Sequence, residues 1–189
     1  MTAEEPQKKK SPLREVMEWA ATLAAAVLLA LAVHTWVGQI IVVEGPSMEP
    51  ALYSNDAVIA GKLEYRFTKP KRGDIVIVRF PGSDKDYIKR VVAVGGERIA
   101  VAGGSVTIGG KRLDEPFLYD QNINFEMPET TVPEGTVFVM GDNRNNSTDS
   151  HMAGVGPISL EEVVGRVYLQ VWPLDRMTKL TEYTGKLEE

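Results

Sequence analysis

The clearest structural signal in this chain is Arg98-Ile99-Ala100-Val101-Ala102-Gly103-Gly104-Ser105-Val106-Thr107-Ile108. Two short runs with β-branched residues flank a pair of glycines, and two-residue turns are the commonest connection in hairpins. The stretch therefore predicts an antiparallel hairpin made of residues 98–102 and 105–108. The chain on either side repeats this pattern of short β-branched runs separated by Gly, Pro, Asn and Asp, which is typical of an all-β domain with little helix.

The same pattern predicts six further strands. They are residues 40–43, 57–60, 74–79, 87–94, 136–140 and 166–171. One short helix is predicted at Ser159-Leu160-Glu161-Glu162, which has the form of a capping box. Residues 113–133 have the least regular pattern, so we expect a long connection there. The sequence thus predicts a mainly β fold.

The composition excludes several classes of function. The 189 residues suffice for one domain of ordinary size. A net charge of −5 argues against nucleic acid as a partner, because phosphate binding needs a basic surface. The chain has no cysteine, which rules out disulfides, thiolate zinc sites and a cysteine nucleophile. We expect neither a metal ion nor a cofactor.

An uncharged apolar segment precedes the β pattern. From Trp19 to Val43 the chain has no Asp, Glu, Lys or Arg, which is long enough to cross a bilayer as a helix. Bases stand before this segment and acidic residues follow it, so the positive-inside rule keeps the N-terminus in the cytoplasm. We predict a single-pass protein of the cell membrane. Its parts are a cytoplasmic tail (1–15), a transmembrane helix (16–38), an extracytoplasmic β domain (39–175) and a C-terminal tail (176–189).

A cleaved signal peptide is the alternative for this segment. Ala30-Leu31-Ala32 has the small-x-small form of a cleavage site. The apolar run continues past it through Val33, Trp36 and Val37, which favours an uncleaved anchor. A mature N-terminus at Val33 would contradict the anchor.

The most constrained serine follows the apolar segment, in Val43-Glu44-Gly45-Pro46-Ser47-Met48-Glu49-Pro50. Pro46 and Pro50 stiffen the backbone around Ser47, which suits the presentation of a nucleophile. A surface serine in a proline-rich turn is the alternative. A nucleophilic hydroxyl needs a base, and the two histidines are His34, inside the apolar segment, and His151. The base is therefore His151 or a lysine whose pKa is lowered by burial.

Lys89 is the candidate lysine. In a strand it shares one face with Tyr87, Val91 and Ala93, so its amine stands among apolar neighbours. Loss of water around an ammonium group lowers its pKa, and the neutral amine is then a base. Arg90 cannot serve, because a guanidinium stays protonated. A solvated surface lysine is the alternative interpretation.

A third stretch is Gly141-Asp142-Asn143-Arg144-Asn145-Asn146-Ser147-Thr148-Asp149-Ser150, in which nothing apolar exceeds the threonine methyl. It follows directly from a predicted buried strand. It could form an Asx-rich loop, or it could supply a hydroxyl and carboxylates that orient catalytic groups.

Together these stretches resemble the type I signal peptidases, which are membrane-anchored serine proteases with a Ser/Lys dyad. Gly45-Pro46-Ser47-Met48-Glu49-Pro50 is similar to the family's serine box and Tyr87-Ile88-Lys89-Arg90-Val91-Val92 to its lysine box. Residues 141–150 are similar to its acidic box, and Arg72-Gly73-Asp74-Ile75-Val76 to a strand between the first two. All of these in order after a membrane segment are a specific signal, which covers roughly residues 15 to 172.

The resemblance implies a role for each matching residue. Ser47 is the implied nucleophile, and Lys89 is the implied general base, which then acts as acid. The hydroxyl of Ser147 is expected to hydrogen-bond the lysine amine, and the N–H of Ser47 to stabilise the oxyanion. The implied supporting residues are Arg90, Asp142, Arg144 and Asp149, and the implied substrate-binding residues are Gly45, Met48 and Tyr87.

Two positions depart from the family pattern. Many two-span members carry a serine at the position of Gly45, and its side chain donates to the oxyanion. This chain has a glycine there, like the single-span members, so the second donor to the oxyanion is not identified. His151 stands where the acidic box usually ends in arginine, which puts the expected ion pair with Asp149 in question.

The resemblance also implies a fold and a substrate. The fold is a coiled antiparallel β-sheet or partly open barrel, to which the substrate adds as an extended strand between the serine-box and lysine-box strands. The implied reaction is removal of signal peptides from secretory preproteins through an acyl-enzyme, after small residues in an Ala-x-Ala pattern. The expected partners are these preproteins and the lipid bilayer, and the sequence predicts no oligomeric state. The alternatives are a membrane-tethered β domain without activity and a self-cleaving regulatory protease, which would carry a DNA-binding domain before the serine.

Overall fold

The computed structural model of the chain describes residues 12–36 and 38–180, and for residues 30–36 it describes the backbone alone. The outer parts of the predicted tails, residues 1–11 and 181–189, lie outside the described residues. The chain divides into two compact units, and the second begins at Gly38.

The first unit contains helix α1, Pro12–Trp36. The helix begins before the predicted start at residue 16, because proline fits the first turn of a helix and Arg14 pairs with Glu18 one turn later at 3.1 Å. Among the described residues, no helix is both long and apolar enough to cross a membrane. The transmembrane helix predicted over residues 16–38 is therefore not confirmed by the structure.

The second unit is mainly β, which confirms the predicted fold class. Its strands, in chain order, are β1 Gln39–Val42, β2 Ala57–Gly61, β3 Ile75–Arg79, β4 Asp86–Val94, β5 Arg98–Ala102, β6 Ser105–Ile108, β7 Lys111–Arg112, β8 Met127–Thr131, β9 Thr136–Met140, β10 Ile158–Ser159, β11 Val163–Trp172 and β12 Thr178–Lys179. Short helices occupy Glu64–Phe67 (α2), Arg144–Asn146, Leu160–Glu162 and Leu174–Arg176, of which the last three are 3-10 turns.

Every predicted strand is present. The predicted hairpin turns at Gly103 and Gly104, whose φ angles of +58° and +75° are readily adopted by glycine. The predicted helix start at Ser159 is also present, since its hydroxyl accepts the N–H of Glu161 at 3.3 Å. That helix is a single 3-10 turn.

The long connection predicted over residues 113–133 is wrong in its last part, where β8 pairs with β5. β8 is an edge strand, and four of its five residues are exposed, so it lacks the alternation that marks a half-buried strand. Its Pro128 has no N–H to donate, which an edge position tolerates.

Two antiparallel sheets form this unit. The larger has eight strands in the order β1-β2-β11-β3-β4-β9-β10, with β12 added to β11, and the smaller has the order β7-β6-β5-β8. Three strands separate β1 from β4 in the larger sheet, yet residues of both strands line one cavity beside Ser47. The larger sheet is therefore curled and, among the described strands, open at both ends, as expected for a coiled sheet or partly open barrel.

Three apolar clusters fill the core. The first lies inside the curl of the larger sheet, and the second lies between the two sheets. The third contains Val91 and Val76, and Val76 is the register partner of Lys89.

A register shift follows Val91 in the pairing of β4 with β9, and Ala93 belongs to the second cluster. The prediction that Ala93 shares a face with Lys89 is therefore wrong, because the extra residue of a β-bulge reverses the alternation.

Candidate active site

The turn after β1 holds Ser47 in place. The N–H of Val43 donates to the carbonyl of Asp56 at 2.8 Å, and the N–H of Asn55 donates back to the carbonyl of Val43 at 2.9 Å. Met48 anchors the turn in the core, where its side chain is 1% exposed. Ser47 itself is half-buried, so its hydroxyl is fixed in position but can be reached from outside.

Lys89 of β4 directs its amine at this serine. Its Nζ lies 2.6 Å from Oγ of Ser47, and the residue is 3% exposed. Burial lowers the pKa of Lys89 to about 8, against the opposing effect of the Asp149 and Asp142 carboxylates. A lysine with this pKa is about half neutral near pH 8, and its neutral amine can accept the proton of the hydroxyl.

Arg90 ties β4 to residues 141–150, which we call the acidic loop. Its Nε and Nη2 donate to the two carboxylate oxygens of Asp142 at 2.8 Å and 2.6 Å, and its Nη1 donates to the carbonyl of Gly73 at 3.0 Å. The guanidinium also lies 4.1 Å from the ring centroid of Phe117. Because Asp142 is fully buried, this bidentate pair offsets its charge and fixes the start of the loop beside Lys89.

Arg144 supports the acidic loop from the interior. Its guanidinium makes a bidentate pair with Glu115, with N–O distances of 2.8 Å and 2.5 Å, and its Nε donates to the carbonyl of Gly141 at 3.0 Å. Arg144 is 1% exposed and Glu115 is 6% exposed. Separating the two side chains would leave a buried charge without a partner, which is strongly unfavourable. The pair therefore holds the loop in one conformation.

The acidic loop also contacts the serine turn directly. The N–H of Asn143 donates to the carbonyl of Ser47 at 3.0 Å, and its side-chain amide donates to the carbonyl of Pro46 at 3.3 Å. At Gly141 the two segments approach so closely that a methyl group would overlap the Ser47 carbonyl oxygen and the Ser147 hydroxyl. Residue 141 therefore has no room for a side chain.

Asp149 carries a second buried carboxylate of the loop. Its Oδ2 accepts the N–H of Gly141 at 2.9 Å, and its Oδ1 lies 2.6 Å from Nδ1 of His151. Burial alone would raise the pKa of the Asp149 carboxyl, but hydrogen bonds from His151 and from the Gly141 N–H, together with the nearby Ser147 hydroxyl, hold it below its ordinary value. The pairing that the sequence left in question is therefore present, with an imidazole as the partner.

Ser147 lies in the site but does not make the bond predicted for it. Its Oγ is buried and meets no partner in hydrogen-bond geometry within the described residues. The predicted hydrogen bond to the amine of Lys89 is therefore absent. The Ser147 hydroxyl instead helps to lower the pKa of the Asp149 carboxyl.

Residues 16–172, which are most of the chain, match the family described as signal peptidase, peptidase S26. The chain belongs to this family. It is therefore a hydrolase of the type I signal peptidase class.

Similar proteins agree with this family. The chain is 36% identical over 181 residues to the signal peptidase I of Leptolyngbya laminosa, which covers 92% of this chain and 86% of that relative. It is 32% identical over 190 residues to the signal peptidase I S of Bacillus subtilis, and the match covers 95% of this chain and 99% of that relative. A solved structure of a signal peptidase I from Enterococcus faecalis V583 has 29% identity and a TM-score of 0.46, and it covers 52% of this chain and 97% of that one.

A small cavity lies next to the serine and lysine of this signal peptidase. It has a volume of about 120 Å³ and is lined by residues 41–44, Ser47, Met48 and residues 86–89. Two of the predicted substrate-binding residues, Met48 and Tyr87, therefore line it. The third, Gly45, does not; it has a φ of +85°, and its N–H donates to the hydroxyl of Ser54 at 2.8 Å.

A larger cavity, of about 670 Å³, lies between the turn that joins β3 to β4 and residues 157–162. Neither Ser47 nor Lys89 is among its lining residues. Since chemistry requires the substrate to touch both groups, the small cavity is the candidate substrate site of the signal peptidase.

Two contacts of the site have no local signal in the sequence. Glu115 and Phe117 belong to the segment expected to be an irregular connection, and they contact Arg144 and Arg90. A buried arginine requires a carboxylate nearby, but this rule does not say which acid of the chain provides it.

His151, the alternative base, makes no hydrogen bond to Ser47 in the part of the chain that the structure describes. Its Nδ1 faces Asp149, and its ring stacks on Phe125 with centroids 4.1 Å apart. The structure therefore places Lys89, and not His151, in hydrogen-bond contact with Ser47.

Proposed function

We propose that the protein removes signal peptides from secretory preproteins through an acyl-enzyme, with Ser47 as nucleophile and Lys89 as general base. The observation that carries this proposal is the 2.6 Å separation of the Lys89 amine from the Ser47 hydroxyl, at a lysine that is 3% exposed. A buried lysine amine is costly for stability, and such groups are found chiefly where function needs them.

The reaction uses the amine twice. The neutral amine of Lys89 takes the hydroxyl proton while Oγ of Ser47 attacks the peptide carbonyl carbon. The oxyanion that forms needs a donor, and the N–H of Ser47 donates to no described residue, so it is available for this role. When the tetrahedral intermediate collapses, the leaving nitrogen takes the proton from the Lys89 ammonium, and an ester remains on Ser47. A water molecule gives a proton to the amine and attacks the ester carbonyl carbon; when this second intermediate collapses, the Lys89 ammonium returns the proton to Oγ of Ser47 and the acid is released.

The substrate is proposed to bind as an extended strand along β1. β1 pairs with β2 on one side and is an end strand of the larger sheet among the described strands. An extended peptide can add to such an edge through backbone hydrogen bonds, while pockets select its side chains. The cavity of about 120 Å³ beside Ser47 suits side chains as small as alanine, which supports cleavage after Ala-x-Ala.

Cleavage is expected to depend on the residue just before the cut. Replacing alanine by phenylalanine at this position of a preprotein should lower kcat/KM about 100-fold, because overfilling a packed pocket costs roughly 1–3 kcal/mol. The measurement is the rate of processing by the full-length protein in detergent, with the new N-terminus identified by mass spectrometry. Ser47→Ala protein gives the blank, and equal rates for the two preproteins would refute the pocket assignment.

The proposal places the protein in the cell membrane, with residues 1–15 in the cytoplasm, residues 16–38 as the single span and residues 39–175 outside. It is supported by the uncharged run from Trp19 to Val43, with bases before it and acids after it. The β unit also exposes large apolar side chains suited to a lipid surface. Ile40 and Val42 of β1 are 69% and 58% exposed, and Trp172 at the end of β11 is 56% exposed. Val42 and Trp172 both pair with Ala57, so they lie at one end of the sheet.

Membrane anchoring can be tested on intact cells. The protein should stay in the membrane pellet after alkaline carbonate extraction, because only an integral span resists it. Protease added outside should digest the β unit and spare an N-terminal tag. Release of the protein by carbonate, or a mature N-terminus at Val33, would refute the anchor.

A further inference from the structure

The loop that carries Ser47 is closed at its base by Asp56. This loop joins β1 to β2 and consists of residues 43–56. The N–H of Val43, its first residue, donates to the carbonyl of Asp56, its last residue, at 2.8 Å. The N–H of Asp56 in turn donates to the carbonyl of Tyr53 at 3.1 Å. The position of Asp56 therefore determines where the loop begins and ends.

Three donors hold the carboxylate of Asp56, whose side chain is 1% exposed. Its Oδ2 accepts the N–H of Tyr53 and the side-chain amide of Gln170, each at 2.8 Å. Its Oδ1 accepts Nη2 of Arg176 at 2.6 Å. Arg176 thus supplies the positive charge that a buried carboxylate requires, and a carboxylate left without such a partner is strongly unfavourable in the interior.

Arg176 belongs to the segment that follows β11, residues 173–180. The segment is held by the short strand β12, which pairs with β11, and by Leu180, which packs against the core cluster that contains Met48. The guanidinium of Arg176 also lies 4.7 Å from the ring centroid of Tyr53. The segment begins after residue 172, where the match to the peptidase family ends, so that match assigns no role to Arg176.

We propose that Arg176 is a positioning residue, whose ion pair with Asp56, together with the amide of Gln170, fixes the base of the loop that presents Ser47 to Lys89. The inference rests on the proposed Ser47–Lys89 chemistry and adds to it. The acidic loop holds Ser47 itself, and Arg176 holds the point from which the loop starts. Without the ion pair the loop is free to shift, which disturbs the 2.6 Å contact between the Ser47 hydroxyl and the Lys89 amine. A misplacement of about 1 Å can lower a reaction rate about 100-fold.

The test measures kcat and KM for a preprotein with full-length protein in detergent. Arg176→Gln should lower kcat about tenfold, because alignment is lost in part. KM should change less than about twofold, because neither Arg176 nor Asp56 lines the cavity beside Ser47. Arg176→Lys should recover most of the wild-type kcat, since the contact to Asp56 uses one nitrogen and an ammonium group can take its place.

Arg98→Gln is the matched control. It removes an arginine whose ion pair with Glu129 lies at the surface, where the two side chains are 57% and 43% exposed. Such exposed pairs contribute little to stability, so this variant should match the wild type in kcat and KM.

A role in stability alone would lower the unfolding temperature of Arg176→Gln and leave its kcat unchanged at a temperature where it is folded. That result would overturn the inference, and so would a loss of kcat in Arg176→Lys as large as that in Arg176→Gln. Lys89→Ala separates this failure from that of the proposed function. An active Lys89→Ala protein would refute the dyad, whereas an inactive one, together with a wild-type kcat in Arg176→Gln, would refute only the role of Arg176.

Gln170→Met decides the question if Arg176→Gln does not fold. It removes the amide donor to Asp56 and leaves the ion pair in place, so it is the milder change. Its kcat should fall about threefold, as expected for the loss of one neutral hydrogen bond. An unchanged kcat in this variant would contradict the inference.

Discussion

Lys89→Ala is expected to lower kcat/KM for a preprotein by at least about 1,000-fold, because the variant has no base to take the proton of Ser47. Lys89→Arg should be equally inactive. It keeps the positive charge and a hydrogen-bond donor, but a guanidinium cannot accept the proton. Single-turnover assays of preprotein processing measure both variants against Ser47→Ala as the blank.

Lys85→Ala is the matched control, since Lys85 is exposed in the turn that precedes β4 and should keep full activity. The opposite ranking would contradict the dyad: an active Lys89→Ala enzyme together with an inactive His151→Ala enzyme would make the histidine the base.

The proposed base also predicts how the activity of the wild-type enzyme depends on pH. Burial lowers the pKa of Lys89 to about 8, so the neutral base predominates above that pH and the inactive ammonium form below it. Well below the midpoint, kcat/KM should fall by up to about tenfold per pH unit, less where a neighbouring group titrates as well. A flat profile down to about pH 6 would exclude a lysine base of this kind.

Gly141→Ala is expected to lower kcat/KM by at least about 100-fold, although residue 141 takes no part in the chemistry. The added methyl group overlaps the carbonyl oxygen of Ser47 and the hydroxyl of Ser147, so the serine turn or the acidic loop must shift, which disturbs the alignment of Ser47 with Lys89. The free energy of unfolding should also fall, by about 1–3 kcal/mol, as in other overpacked sites. Enzyme kinetics and denaturant unfolding of the purified variant measure the two effects.

Gly154→Ala provides the control, because a methyl group at Gly154 meets no atom within 4 Å. This variant should match the wild type in both measurements. A Gly141→Ala protein that cleaves preproteins at the wild-type rate would show that the close approach of the acidic loop does not position Ser47.

The strands could be predicted where turn residues bound a β-branched run. The pattern gives the correct bounds for β5, β6 and β9. Gly103-Gly104 separates the first two strands, and Gly135 and Gly141 stand directly before and after the third. β8 could not be found in this way, since an edge strand with exposed side chains has no apolar alternation. The bulge after Val91 was also beyond reach, because it depends on the pairing of β4 with β9 and not on the sequence of β4 alone.

The site was predictable in its reactive groups and less so in its supports. Local patterns, a stiff serine turn and a lysine among apolar strand residues, made Ser47 and Lys89 candidates, and the roles of nucleophile and base came from the resemblance. The structure brings the two side chains within 2.6 Å of each other. The partner of Arg144 was not identifiable, since Glu115 is 29 residues away in a segment without regular pattern. The expected bond from Ser147 to Lys89 is absent because the hydroxyl position depends on the packing of Gly141 against the serine turn.

The hydrogen bond from Asn143 to the Ser47 carbonyl has a consequence for biosynthesis. Asn143 lies almost one hundred positions downstream of Ser47. A polypeptide still emerging from the ribosome therefore lacks the residue that holds the serine turn in place. The serine turn therefore gains this support only after at least 143 of the 189 residues have been made.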